Sequence, residues 1–397
     1  MNKQNTLIGT CPSHWSVVKF STVAELKHGY QFRTTDFVES GIKIFKITQI
    51  KGDGSIDISS CSYIDSNRLE SFEKNILNNG DILMALSGAT IGKIGRFKSD
   101  EVVLQNYRVG NFIPIDDKTL NKDYFFYFLK TENTYYQILA NQNQSAQENV
   151  GKEDIHNMLV FLPPLPEQIA IAEVLTSLDD KIDLLHRQNK TLEQMAETLF
   201  RQWFVEEAKE NWEVDEIKKY VEVVDNRGKT PPNSKDKTPY PLIEVNALGK
   251  ENRLVDYSVI RKYVDKETFE NWFRNKPKKY DTLLSTVGSI GAISMYLIEK
   301  GNVAQNVIGL SARNISAFYL FQFLKHQTNE ILLLDIGGVQ PSIKVPHLLS
   351  LEIPIPPFEL QKKFDIQVLD FVSKMENNYT QIRTLEKMRD TLLPKLM

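Results

Sequence analysis

Residues 175–203 read LTSLDDKIDLLHRQNKTLEQMAETLFRQW, and their apolar positions decide the fold. Leu175, Leu178, Ile182, Leu185, Asn189, Leu192, Ala196, Leu199 and Trp203 step alternately by three and four residues. That is a heptad seam, the spacing of a helix in a left-handed coiled coil. A second seam runs through Val368, Phe371, Met375, Asn378, Ile382, Leu385, Arg389 and Leu392. Each seam carries one asparagine, a residue that fixes register in a coiled coil at some cost in stability. A stripe this narrow suits a helical partner better than a broad globular core. The two helices are therefore predicted to pair antiparallel. The contact residues would be Leu178, Ile182, Leu185, Asn189, Leu192 and Leu199 on one helix and Phe371, Met375, Asn378, Ile382, Leu385 and Leu392 on the other.

Outward from the seams, the chain repeats itself. Trp15 and Val17 return as Trp212 and Val214, 197 positions on. Tyr63-Ile64-Asp65 returns as Tyr263-Val264-Asp265, and Asp81-Ile82-Leu83 as Asp281-Thr282-Leu283. Gln105-Asn106 returns as Gln305-Asn306, Phe126–Lys130 as Phe321–Lys325, and Pro163-Pro164 with Gln168 as Pro356-Pro357 with Gln361. Matches that keep their order over the whole chain mark a duplication. Each half begins with short apolar runs broken by Gly, Asn, Asp and Ser, which read as strands and turns. A short aromatic helix follows, then a proline hinge, then the long helix. The expected class is α+β. Two strand-rich α/β domains, residues 1–162 and 209–353, are separated by two long helices, 163–208 and 354–397, with an internal pseudo-two-fold repeat.

Composition fits this. The chain has 397 residues, 41% hydrophobic and 25% charged, which is too long for one ordinary core and too apolar for disorder. No apolar run approaches the ~18 residues of a membrane span, and the opening residues are too polar for a signal-peptide core, so a cytoplasmic location is expected. Two cysteines, Cys11 and Cys61, make neither a disulfide framework nor a zinc site. The formal charge is −3, but residues 218–279 hold 15 Lys and Arg against 9 Asp and Glu.

Catalytic patterns are missing. Gly88-Ala89-Thr90-Ile91-Gly92-Lys93-Ile94 has three residues between its glycines and Ile94 where a phosphate loop needs a hydroxyl. No Rossmann glycine pattern opens a helix, the six histidines are scattered, and no serine sits in G-x-S-x-G. No cofactor and no metal are expected.

What remains is an inventory for binding. The Gly-rich turns near Ser87, Thr90 and Lys93 and near Ser285 and Ser289 let a backbone approach a partner closely. Gln105-Asn106, with Arg108 behind them, and Gln305-Asn306 can pair with adenine edges, or equally satisfy buried backbone groups. The loops Gln31-Phe32-Arg33-Thr34-Thr35 and Arg227-Gly228-Lys229-Thr230-Pro231 mix cations and hydroxyls, suiting phosphate or guanine contacts.

These residues together resemble the specificity (S) subunit of a type I restriction–modification system. The resemblance is carried by Pro163-Pro164-Leu165-Pro166-Glu167-Gln168 running into Ile169–Leu175, by Leu178-Asp179-Asp180-Lys181-Ile182, by Thr198–Phe204, by the Arg227–Pro231 loop and by Thr391–Leu396. It covers nearly the full length, duplication included. It implies two target-recognition domains, each reading half of a split double-stranded DNA site, with the helices as spacer. It also implies docking of methyltransferase (M) subunits, expected to be two, and of restriction/translocase (R) subunits, with no catalytic site on this chain. Because residues 31–71 and 229–271 differ strongly, the two half-sites are expected to differ. From Leu175 to Trp203 is about 42 Å of helix, near the ~34–36 Å of one duplex turn. The unread spacer is therefore expected to follow helix length. The second hinge departs from the first, with Phe358-Glu359-Leu360-Gln361 for Leu165-Pro166-Glu167-Gln168, and Arg389 stands where the first helix has Ala196. Docking at the two ends is thus expected to be unequal. The alternatives are a methyltransferase scaffold that reads no DNA, and a stand-alone DNA methyltransferase or nuclease. Against the latter, Thr230-Pro231-Pro232-Asn233 lacks the Asn or Asp at the first position and the aromatic at the last of the Asn/Asp-Pro-Pro-Tyr/Phe motif that methyl transfer to an exocyclic amine would need.

Overall fold

The structure is a computed structural model that describes residues 3–51, 54–140, 150–228, 230–249 and 253–397. It divides into two compact units, Met1–Lys181 with Leu385–Met397, and Ile182–Thr384.

In the first unit, an antiparallel sheet runs in the order Ala24–His28, Val109–Pro114, Ile82–Ala85, Ile94–Arg96. A second sheet runs Val103–Gln105, Ile42–Phe45, Ser62–Ile64, Phe37–Val38, its first pair parallel. Ser16–Lys19 pairs with Leu159–Leu162. Helix α1 (Lys122–Leu129) is buried on every side from Tyr124 to Leu129, as its unbroken aromatic sequence demands. The Asn121 side chain caps it by accepting from the backbone of Asp123 and Tyr124. Phe20, Phe112, Phe125 and Phe161 form its core with Leu175 from helix α2 (Leu165–Arg201).

The second unit repeats this topology. Its antiparallel sheet runs Val221–Val224, Val307–Ala312, Thr282–Ser285, Ile293–Met295. Tyr240–Ile243 lies antiparallel to Tyr263–Val264 and parallel to Asn302–Val303. Glu213–Glu216 pairs with Glu352–Ile355. Helix α3 (Ala317–His326) takes the place of α1, capped by Ser316, and helix α4 (Phe358–Leu396) that of α2.

The duplication reaches single hydrogen bonds. Buried Gln168 accepts from the backbone N–H of Asn121 at 2.8 Å and donates to the carbonyls of Pro163 and Thr119. Buried Gln361 accepts from the backbone N–H of Ser316 at 2.8 Å and donates to the Pro356 carbonyl. The hinge glutamine thus ties the start of each long helix to the cap of each aromatic helix, and the two hinges do the same work although their sequences differ.

The long helices pair antiparallel. In the second unit, Asn378 faces Asn189, and Ile182, Leu185, Met375 and Ile382 are buried beside them; Leu192, Leu199 and Phe371 are half-buried. In the first unit, Arg389 faces Asp179, with Leu178, Leu385 and Leu392 half-buried. The stripe is wider than two residues at one end. Phe200, Phe204 and Phe364 sink into the second unit's core, with the Phe204 ring 4.7 Å from Tyr319 and 5.0 Å from Phe364. There the helices serve as domain core as well as coiled coil.

Candidate functional site

In the first unit, backbone pairing gathers three separate stretches. The Tyr30 N–H donates to the Gln105 carbonyl and the Tyr107 N–H to the Tyr30 carbonyl, both at 2.9 Å. Gly29 makes this approach possible, since a Cβ there would lie 2.1 Å from the Gln105 carbonyl oxygen. The Leu86 N–H donates to the Arg108 carbonyl at 2.9 Å, which brings the Gly-rich turn to the same edge. Gln31, Arg33, Thr34 and Thr35 are all exposed here. Their loop is held by Asp36, which accepts from the Arg33 backbone at 2.7 Å and from the Arg68 guanidinium at 2.8 Å. These bonds keep the Asp36 carboxyl below its ordinary range. Arg108 is exposed and donates to the Tyr107 hydroxyl at 2.6 Å. Tyr30, 44% exposed, packs on Phe32 and Phe72 at the same edge, and Lys93 is half-buried.

Several expected contacts are corrected. Gln105 is buried, and its amide donates to the Lys27 and Val109 carbonyls at 3.0 and 2.8 Å, so it is a structural brace. Buried Asn106 accepts from the Arg108 N–H at 3.2 Å, fixing the turn that displays Arg108. Ser87 is buried, and the Thr90 hydroxyl is enclosed; neither has a partner among the described residues.

The second unit gathers the corresponding stretches with different side chains. The Thr286 N–H donates to the Asn306 carbonyl at 2.9 Å, and Gln305 donates to the Thr230 hydroxyl at 2.7 Å. Thr230, Ser289 and Asn306 are exposed and Gln305 is half-buried. Ser285 is fully buried and donates to the Val287 carbonyl, a further correction. Arg227 is clasped by Asp225, its Nε 2.9 Å from both carboxylate oxygens. Burial opposes ionisation of Asp225, but the Arg227 bonds outweigh it and hold the carboxyl below its ordinary range. Lys229 lies outside the described residues. The basic excess of residues 218–279 is largely neutralised: eight of its cations, Lys219, Lys262 and Lys279 among them, sit in ion pairs.

Sequence reasoning missed the segment Asp335–Ser342. Ser342 bridges Val287, and the Pro341 carbonyl accepts from the Gly288 N–H at 2.9 Å, so the segment lies along the Gly-rich turn. Its signal was the Gly337-Gly338 pair followed by Gln340-Pro341.

Among the described residues no cluster of His, Cys, Asp and Glu could hold a metal. Cys11 and Cys61 are buried and free. Among the described residues no helix is long and apolar enough to cross a membrane.

Comparison with known proteins gives a consistent picture. The chain is 24% identical to the putative type I restriction enzyme MjaX specificity subunit of Methanocaldococcus jannaschii, over 100% of this chain and 96% of that one. It is 32% identical to the MjaVIII specificity subunit of the same organism over 47% of this chain and 44% of that one. The fold is similar to the crystal structure of a type I restriction–modification S subunit from M. genitalium, with a TM-score of 0.59 at 17% identity, covering 100% of this chain and 99% of the other. The type I restriction modification DNA specificity domain matches twice, over residues 12–194 and 209–387, one copy for each half of the internal repeat, and the chain therefore belongs to that family of specificity subunits.

Proposed function

We propose that this chain reads a bipartite double-stranded DNA target for a type I restriction–modification complex, one half-site per unit, and catalyses nothing itself. One observation carries the reading. In both units the same sheet edge gathers the same three stretches, yet the side chains presented differ: exposed Gln31, Arg33, Thr34, Thr35 and Arg108 in one, exposed Thr230, Ser289 and Asn306 with half-buried Gln305 in the other. A shared scaffold bearing unlike polar groups suits readers of two unlike sequences, since base contacts specify while backbone contacts position. In this reading two M subunits and the R subunits dock on the chain, and the length of the paired helices sets the unread spacer.

The test is exchange. Replacing residues 1–160 by the matching segment of a relative, and sequencing methylated DNA from cells carrying the system, should change one half of the target only. A change in both halves, or none, rejects one-unit-per-half reading. Methylation or cleavage of DNA by the purified chain alone rejects the non-catalytic assignment.

A further inference from the structure

The segment Asp335–Ser342 is a closed, internally bonded loop with an exposed tip. The Ile336 N–H donates to the Ser342 carbonyl at 3.1 Å, and the Asp335 carboxylate accepts from the N–H groups of Gly337 and Ser342 at 3.2 and 2.9 Å. Gly337 and Gly338, with φ of +70° and +136°, turn the chain where other residues would be strained. Val339 then stands at the tip, fully exposed, and Gln340 follows, also exposed. The Gln340 amide leans over the Gly-rich turn: a Cβ built on Gly288 would lie 3.5 Å from its Nε2. A valine held open in this way contributes nothing to the core.

The first half of the chain keeps one glutamine at the offset of the hinge repeat. Gln147 precedes Gln340 by 193 positions, with Ala146 in place of Val339. Residues 141–149 lie outside the described residues; the Val150 N–H donates to the Leu86 carbonyl just as the Ile343 N–H donates to the Thr286 carbonyl.

We propose that the Asp335–Ser342 loop is a DNA-contacting element of the second unit. Gln340 hydrogen-bonds a base edge, and Val339 packs on an apolar one, for which the thymine methyl is the partner the major groove offers. The assignment rests on the DNA reading given above. Leu333 and Ile336 are also exposed on this segment, a surface a protein could cover. The place of Gln340 over the Gly-rich turn, close in sequence to exposed Ser289, favours the duplex.

The experiment uses the full chain assembled with its methyltransferase and duplexes carrying the target mapped by methylation sequencing. Val339→Ala and Gln340→Ala should each weaken discrimination at one half-site by about tenfold and leave the other half-site and the methyltransferase content unchanged. Wild-type discrimination retained in both variants would overturn the loop's assignment. So would loss of the methyltransferase with discrimination intact in the complexes that remain, which would make the loop a protein-docking surface. A wild-type complex that does not discriminate between duplexes would overturn the DNA reading, and the loop's role with it.

Discussion

Asn378 donates to the side-chain oxygen of Asn189 at 2.9 Å, and both side chains are completely buried. The bond is reciprocal in name only. The Asn189 Nδ2 and the Asn378 Oδ1 find no partner among the described residues. Each unpaired buried group costs about 1–3 kcal/mol, so this pair specifies alignment at the expense of stability. The double variant Asn189→Leu/Asn378→Leu should melt above wild type, while Asn378→Leu alone should melt below it by stranding Asn189. Thermal unfolding of all three decides this; a double variant less stable than either single change would contradict it.

The hinge glutamines should be strictly structural. Gln168→Leu removes three hydrogen bonds and strands the Asn121 N–H, for an expected loss of about 1–3 kcal/mol. Gln361→Leu should cost a similar amount by stranding the Ser316 N–H. Denaturant titration measures both losses, and unchanged stability in either variant would remove the shared role.

Arg389 makes the first unit's helix pairing unlike the second's. Its guanidinium bonds Asp179 at 2.9 Å, and Asp179 also accepts from the Tyr127 hydroxyl at 2.8 Å. Burial works against the Arg389 charge, but Asp179 and Asp390 outweigh it and push its pKa up. Burial and the nearby Asp179 carboxylate push the Tyr127 phenol up as well. Arg389→Met should destabilise by roughly 1–3 kcal/mol, less than a fully buried broken pair because both partners keep some solvent. Adding Asp179→Asn should recover part of that loss in a double-mutant cycle.

Side chains proposed to contact DNA and internal braces should separate in a binding assay. Arg33→Ala and Arg108→Ala should weaken duplex binding and flatten its salt dependence by about one unit of slope for each phosphate left without its cation. Gln105→Ala should instead lower thermal stability, since its amide is already spent on two carbonyls. Arginine variants with unaltered affinity and salt slope would exclude these side chains from the interface.

Asp57 supplies a pH test. Hydrogen bonds from Ser59, with Lys51 nearby, lower its carboxyl from 3.8 to about 2. A depressed acid contributes stability that is present above its unfolded value and is lost as pH falls through its folded one. Its share should therefore fade between about pH 4 and pH 2, and Asp57→Asn should flatten that part of the stability–pH curve. A curve unchanged by the substitution would show that the bonds to Ser59 carry no weight.

Sequence alone determined the long helices and the duplication, because heptad spacing is a local pattern and ordered matches between the two halves can be read along the chain. It also marked the loops around Arg33 and Thr230. Only the tertiary structure decided what each polar residue does. Gln105 and Gln305 share the same Gln-Asn dipeptide, yet one is sealed beneath Lys27 and Val109 while the other reaches Thr230. The strand order is the same in both units, so the difference lies in what each amide meets, two backbone carbonyls in the first unit and a loop hydroxyl 75 residues away in the second. The loop at Val339 was likewise invisible until the bridge between Val287 and Ser342 set it beside the Gly-rich turn. Whether a polar side chain faces water or a carbonyl depends on the packing of residues dozens to hundreds of positions away, and that packing exists only once the chain has folded.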